Sequence, residues 1–127
     1  MNDPMATHGA PSWIEHNSGA PDQAREFYAD VLGWTIADLP MKDGSAYPGV
    51  MLGETPVGGI SPIPVEQGAW RIYITVDDVD ARHAKALAAG AQCAGEPMSV
   101  PGVGRMASVT DPFGATIAFI TYEAPTE

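Results

Sequence analysis

Basic residues are scarce in this chain: six Lys and Arg stand against sixteen Asp and Glu, a formal charge of −10. A surface of that sign repels phosphate backbones and anionic headgroups, so nucleic acid and membranes are not expected partners. The acidic excess is spread along the chain instead of forming a tail, as on a soluble surface. Cysteine is nearly absent. Cys93 alone excludes an internal disulfide and a Cys-rich metal site, and its place beside small residues in an expected strand reads as buried and inert. No stretch approaches the roughly 18 apolar residues of a membrane span. Met1 to Ser12 lacks the apolar core of a secretory leader and reads as a frayed start in which His8 has no role. The expected setting is soluble, cytoplasmic and reduced. A nucleophile motif, a phosphate-cradling glycine loop and a paired-carboxylate pattern are also missing.

What is present is repetition. Asp22 recurs as Asp77, Leu32 as Leu87, Gly49 as Gly104, Met51 as Met106, Thr55 as Thr110 and Gly59 as Gly114, each 55 residues on. Two half-length modules are implied, each reading as strand, helix and short strands. A module this small cannot bury its own apolar face, so the copies are expected to pack together with any site between them.

The element pattern agrees. Trp13 to Asn17 reads as a strand, and Pro21-Asp22 opens a helix with apolar residues at Ala24, Phe27, Tyr28, Val31 and Leu32, stopped by Gly33. Extended segments follow near Trp34–Ala37, Tyr47–Leu52 and Thr55–Ile63, with turns at Met41–Ser45 and Gly53-Glu54. Gly58-Gly59 fits a strand packed closely on its neighbour. In the second copy, Arg71 to Val76 alternates, with Ile72, Ile74 and Val76 toward the core. Asp77 or Asp78 caps a helix that buries Val79, Ala86 and Leu87, carries a packed His83 and stops at Gly90. Strands near Gln92–Met98, Arg105–Val109 and Thr116–Thr121 complete it. Phe27 and Leu87 are expected to be buried beneath the helices, and Trp34 and Phe113, beside turns, are packing or rim residues.

The run Ala24-Arg25-Glu26-Phe27-Tyr28 continuing to Val31-Leu32-Gly33-Trp34 resembles the helix and turn of the vicinal oxygen chelate superfamily, which includes glyoxalase I, extradiol dioxygenases and bleomycin-resistance proteins. Val76-Asp77-Asp78-Val79-Asp80-Ala81, Ala89-Gly90-Ala91, Gly104-Arg105 and Asp111-Pro112-Phe113-Gly114 are similar to its second half in order and spacing. The resemblance implies an α+β fold of two paired βαβββ modules, with a curved eight-stranded sheet around a cavity and the helices outside. On this division residues 1–12 are a flexible N-terminus, 13–63 the first module, 64–70 a linker and 71–123 the second. A homodimer is common in that family.

The resemblance also implies four metal-ligand positions, and this sequence departs at them. They fall on Trp13, within Thr55–Ile63, on Arg71 and on Ala118, and none offers a His, Asp, Glu or Cys donor. Glu15 shares the face of Trp13 and could supply one ligand, while His16 points the other way. No metal and no cofactor are therefore expected. The expected cavity lining is Trp13, Glu15, Arg71, Tyr73, Thr75, Thr116, Ala118 and Ile120, with Tyr47, Met51 and Met106. It suits a small ligand with a flat apolar part and one or two hydrogen-bonding groups. Arg71 is expected to pair with Glu15, because an arginine left alone in a partly closed cavity is penalised by desolvation. The reading is a metal-free small-molecule binder closest to the bleomycin-resistance branch; the alternative is a lyase or dioxygenase of that superfamily with a displaced or non-metal catalytic site.

Overall fold

The computed structural model describes residues 3–123. The elements are β1 (Pro11–Asn17), α1 (Pro21–Leu32), β2 (Thr35–Pro40), β3 (Ala46–Leu52), β4 (Thr55–Ile60), β5 (Ala69–Thr75), α2 (Val79–Ala88), β6 (Gln92–Val100), β7 (Gly104–Thr110) and β8 (Thr116–Tyr122), with a short 3₁₀ turn at Pro4–Ala6 before them. The class is α+β, with two helices and eight strands in two βαβββ modules.

The chain divides into two compact units, residues 13–71 and residues 3–12 with 72–123. In the first, the strands lie in the order β2-β3-β4-β1, β1 and β4 running parallel and the other pairs antiparallel. In the second the order is β5-β8-β7-β6, with β5 and β8 parallel. The two modules thus share one topology. Their spacing is not 55, however: Pro11 and Ala69, Pro21 and Val79, and Ala46 and Gly104 open equivalent elements and lie 58 apart. The letters that match at 55 fall on unlike places, as Gly59 within β4 and Gly114 in the turn before β8 show. Element order carries the repeat, and the single-letter matches do not.

Local chemistry explains the boundaries. Pro21, whose missing N–H would be unsatisfied anyway, begins α1, and Asp22 lies in its positive first turn. Gly33 ends the helix at φ +70, a left-handed conformation that a Cβ disfavours. Asp78 caps α2, its carboxylate accepting the Ala81 N–H at 3.0 Å. Asp77 is instead held by the Arg82 guanidinium, at 2.9 Å and 3.0 Å, and this hydrogen bond lowers its pKa to about 2.

The faces follow from the register. In residues 72–123, Val76, Val79 and Ala107 form a buried cluster joined by Ile74 and Phe119, so α2 covers the face that carries Ile74 on β5 and Phe119 on β8. His83 is buried on α2 as well, its Nε2 without a hydrogen-bond partner. In residues 13–71, His16 packs its ring edge on Tyr28 of α1, so α1 covers the face of His16 and Ile60.

Several burial expectations are corrected. Phe27 is 56% exposed and Leu87 39%, and Ile72 is exposed too. In α1, Ala24 and Tyr28 form one stripe four residues apart and Phe27 and Val31 another, and the first faces the sheet while the second faces outward. Both stripes are apolar, so periodicity could not choose between them. Cys93 is exposed, because β6 is the outer strand of its half-sheet; partial desolvation and the Glu96 carboxylate 3.3 Å away push its thiol above its ordinary pKa. Phe113 is almost fully exposed at its turn. Among the described residues no helix is long and apolar enough to cross a membrane.

Candidate functional site

Three expected site residues meet on residues 13–71. Trp13 and Glu15 alternate on β1 onto the face away from α1, and Tyr47 of β3 reaches the same face. The Tyr47 hydroxyl donates to Glu15 Oε2 at 2.7 Å, and Trp13 Nε1–H donates to the Tyr47 oxygen at 3.3 Å. The two rings are tilted at 40° with centroids 6.3 Å apart. The result is a carboxylate and a phenol beside an indole, a set that can hold a hydrogen-bonding group next to flat apolar surface.

Gly59, which is outside the expected site set, makes this possible. Glu15 lies opposite Gly59 in the β1–β4 register, and a Cβ built on Gly59 would overlap the Tyr47 ring. The same closeness holds at Gly58, where a Cβ would lie 2.8 Å from the Ile14 carbonyl oxygen, and at Gly49, where it would lie 2.5 Å from Leu39 Cδ1. The Gly58-Gly59 pair was the visible signal: it does mark close packing, and the packed object at Gly59 is a site side chain. Met51 falls on the Tyr47 face of β3, beyond a bulge at Val50/Met51.

Arg71, near the start of β5, is half-buried. The Glu15 carboxylate accepts the Tyr47 hydroxyl proton at 2.7 Å.

The remaining expected residues share one face of residues 72–123. Tyr73 pairs in register with Ala118 and Thr75 with Ile120, while Ile120 pairs with Met106 and Thr116 with Thr110. Registered partners point to the same side, so Tyr73, Thr75, Met106, Thr116, Ala118 and Ile120 lie together on the face that α2 does not cover. Ser108, in register with Ala118 and buried, belongs to this set and was not anticipated. Thr110 and Thr116 join hydroxyls at 3.0 Å.

The metal positions can be tested on chemistry. The Trp13 indole donates its N–H and has no lone pair to give, Arg71 is a cation, Ala118 presents a methyl, and the Glu15 carboxylate accepts from Tyr47. Among the described residues no group of three or more His, Cys, Asp or Glu side chains is placed to hold an ion. The donor set does not fit a divalent metal.

On the helix side of residues 13–71 lies an aromatic cluster that the sequence reading did not assemble. His16 meets Trp70 and Tyr28 edge-on, with centroids at 5.0 Å and 5.4 Å, and Tyr28 stacks on Trp34 at 5.6 Å. Trp34 is therefore a packing residue, as expected beside its turn. His16 Nδ1 is buried without a partner, and desolvation lowers its pKa. Since the folded value lies below the unfolded one, the unfolded chain takes up the proton more readily. This residue's contribution to stability is complete above about pH 6.5 and declines as pH falls below it. His16→Phe, which keeps a ring in the cluster, is expected to flatten that decline; urea midpoints measured on either side of the unfolded value would show it, and an unaltered pH dependence would contradict it.

With this geometry in view, likeness to known proteins is informative. Residues 11–119 match the model of the Glyoxalase/Bleomycin resistance protein/Dioxygenase superfamily. A Mycobacterium tuberculosis protein carrying the name glyoxylase CFP32 is 39% identical over 114 residues, 88% of this chain and 44% of that protein. The anthracycline biosynthesis protein DnrV of Streptomyces peucetius is 32% identical over 115 residues, 88% of this chain and 41% of that one. The chain thus spans less than half the length of these relatives. Among solved structures, hypothetical protein BH1468 from Bacillus halodurans C-125 superposes with a TM-score of 0.64 at 16% identity, covering 95% of this chain and 99% of that one, which shows the shared fold. Its module order, its second-half motifs and the match over most of its length make this chain a member of the Glyoxalase/Bleomycin resistance protein/Dioxygenase superfamily.

Proposed function

We propose that this protein binds, without a metal, a small molecule with a flat apolar part and one or two hydrogen-bonding groups. Trp13, Glu15 and Tyr47 are the polar anchor. Met51 and Arg71 extend the lining on residues 13–71; on residues 72–123 the face of Tyr73, Thr75, Met106, Thr116, Ala118 and Ile120 is a second candidate binding surface. The observation that carries the reading is the chain of hydrogen bonds from Trp13 through Tyr47 to Glu15, a preorganised carboxylate–phenol pair flanked by aromatic surface. The name of the DnrV relative, an anthracycline biosynthesis protein, fits a flat aromatic ligand. The protein acts in a reduced, cytoplasmic setting and pairs with a second copy of itself.

The same pair favours one alternative, a non-metal enzyme in which Glu15 accepts a proton from the bound molecule while Tyr47 donates to it; the glyoxylase name of the mycobacterial relative points the same way. Calorimetric titration with phenols and aromatic carboxylates tests the binding reading. Tyr47→Phe and Glu15→Gln are each expected to weaken the best ligand by about 1.5–3 kcal/mol, as for a hydrogen bond to a charged group. Unchanged affinity in both would remove the anchor, and conversion of that ligand by the wild type but not by Glu15→Gln would establish the enzyme. Protein incubated with Mn, Zn, Ni or Fe and then desalted is expected to retain no stoichiometric metal; one equivalent retained, and lost on Glu15→Ala, would overturn the metal-free reading.

A further inference from the structure

Residues 3–10 precede the part of the chain that matches the family, which begins at residue 11. They are expected from the sequence to fray, yet they fold onto residues 72–123. The Gly9 N–H donates to the Thr75 carbonyl at 2.7 Å, and the Thr75 N–H donates to the Ala10 carbonyl at 2.9 Å. The Thr75 hydroxyl donates to the Pro4 carbonyl at 2.7 Å and lies 2.8 Å from the Ser12 hydroxyl. His8 Nδ1 accepts the Asp77 N–H at 3.0 Å. The 3₁₀ turn at Pro4–Ala6 lies against β8.

The side of the sheet matters here. Thr75 and its register partner Ile120 are on the face that α2 leaves uncovered, yet Ile120 is only 3% exposed. The segment is part of what covers this end of the face. Its own grip is thin: none of Pro4–Ala6 is buried, and residues 3–10 contribute no core side chain. Backbone and hydroxyl hydrogen bonds and the exposed His8–Asp77 contact hold it, each of modest net strength, so it can detach while the core stays folded. The Pro4 carbonyl also takes the Thr75 hydroxyl proton, which is the polar contact this end of the face would offer a ligand.

We propose that residues 3–10 form a lid that closes the Thr75–Ile120 end of the binding face and yields to the ligand, whose acceptor replaces the Pro4 carbonyl on Thr75. The proposal rests on the reading that this face binds the ligand. Gly9 is the hinge: its φ of +87 is left-handed, and a Cβ there would meet nothing within 4 Å. Gly9→Pro therefore acts on the backbone alone, removing the N–H that holds Thr75 and forcing φ to the negative side. Holding the lid shut taxes affinity by the fraction of molecules that are open, so releasing it tightens binding.

The test uses the full chain labelled with ¹⁵N and the fluorescent probe 8-anilinonaphthalene-1-sulfonate. In Gly9→Pro, amide exchange at Thr75 and Asp77 is expected to accelerate about tenfold or more, and the probe's Kd to fall about tenfold. Probe-induced shifts should centre on the amides of Tyr73, Ala118 and Ile120. His8→Ala, which removes the acceptor for the Asp77 N–H and the imidazole 3.5 Å from the Asp77 carboxylate, should move both quantities the same way by less, and it replaces Gly9→Pro if that variant does not fold. Faster exchange with unchanged Kd, the shifts still on those amides, would make the segment a fixed strap and overturn the lid while leaving the binding face intact. Shifts elsewhere in every protein would overturn the binding face, and the lid with it. Exchange unchanged in both variants would overturn the lid, since these contacts would then not hold it.

Discussion

Ile60→Ala is expected to destabilise the protein by about 2–5 kcal/mol, the range for truncating a fully buried isoleucine. Ile60 is 0% exposed, sits at the end of β4 opposite His16, and lies on the face that α1 covers. The loss combines the transfer of the removed carbons with the cavity left behind, because neighbouring strands cannot collapse into it. Set against a typical domain stability of about 5–15 kcal/mol, this would leave a marginal fold. A urea titration checks it: the midpoint should drop with the slope unchanged. Phe27→Ala is the contrasting control. With 56% of Phe27 exposed, the change should cost less than about 1 kcal/mol. A loss at Phe27 as large as at Ile60 would mean that α1 presents its other stripe to the sheet.

Gly59→Ala is expected to cost about 1–3 kcal/mol by overpacking and to disturb the Trp13–Tyr47–Glu15 anchor at the same time. The added Cβ would occupy the space of the Tyr47 ring, which must tilt away and loosen its 2.7 Å bond to Glu15. φ at Gly59 is not positive, so the effect is steric and not a matter of backbone strain. The double variant Gly59→Ala/Tyr47→Leu separates the two consequences. A smaller, flexible side chain should recover part of the stability while ligand affinity stays low. If Gly59→Ala alone matched wild type in both stability and binding, the ring would have room to spare and the glycine would not shape the site.

Most of the local structure was legible in the letters. Pro21 and Gly33 bracket α1 because one lacks a donor that the first turn would leave idle and the other tolerates the left-handed stop. Alternation along β1 and β5 placed Trp13 and Glu15, and Tyr73 and Thr75, on single faces, since the strand period of two depends on nothing beyond the strand itself. The two-module plan was readable too, although the true offset of 58 was visible only once equivalent elements could be aligned by their pairing.

Tertiary structure decided whatever depended on a neighbour. Which of two apolar stripes on α1 faces inward is set by the sheet beneath it, so Tyr28 is packed and Phe27 is exposed. That Tyr47 donates to Glu15 is set by where β3 brings the phenol and by a glycine that leaves space for its ring, and no pattern within β1 contains that information. The docking of residues 3–10 could not be read from their polar, proline-containing sequence either, because their hydrogen-bond partners, Thr75 and Asp77, lie some 70 residues away along the chain. Propensity and periodicity are properties of a short segment, whereas burial, pairing and docking are decided by which distant segment arrives beside it.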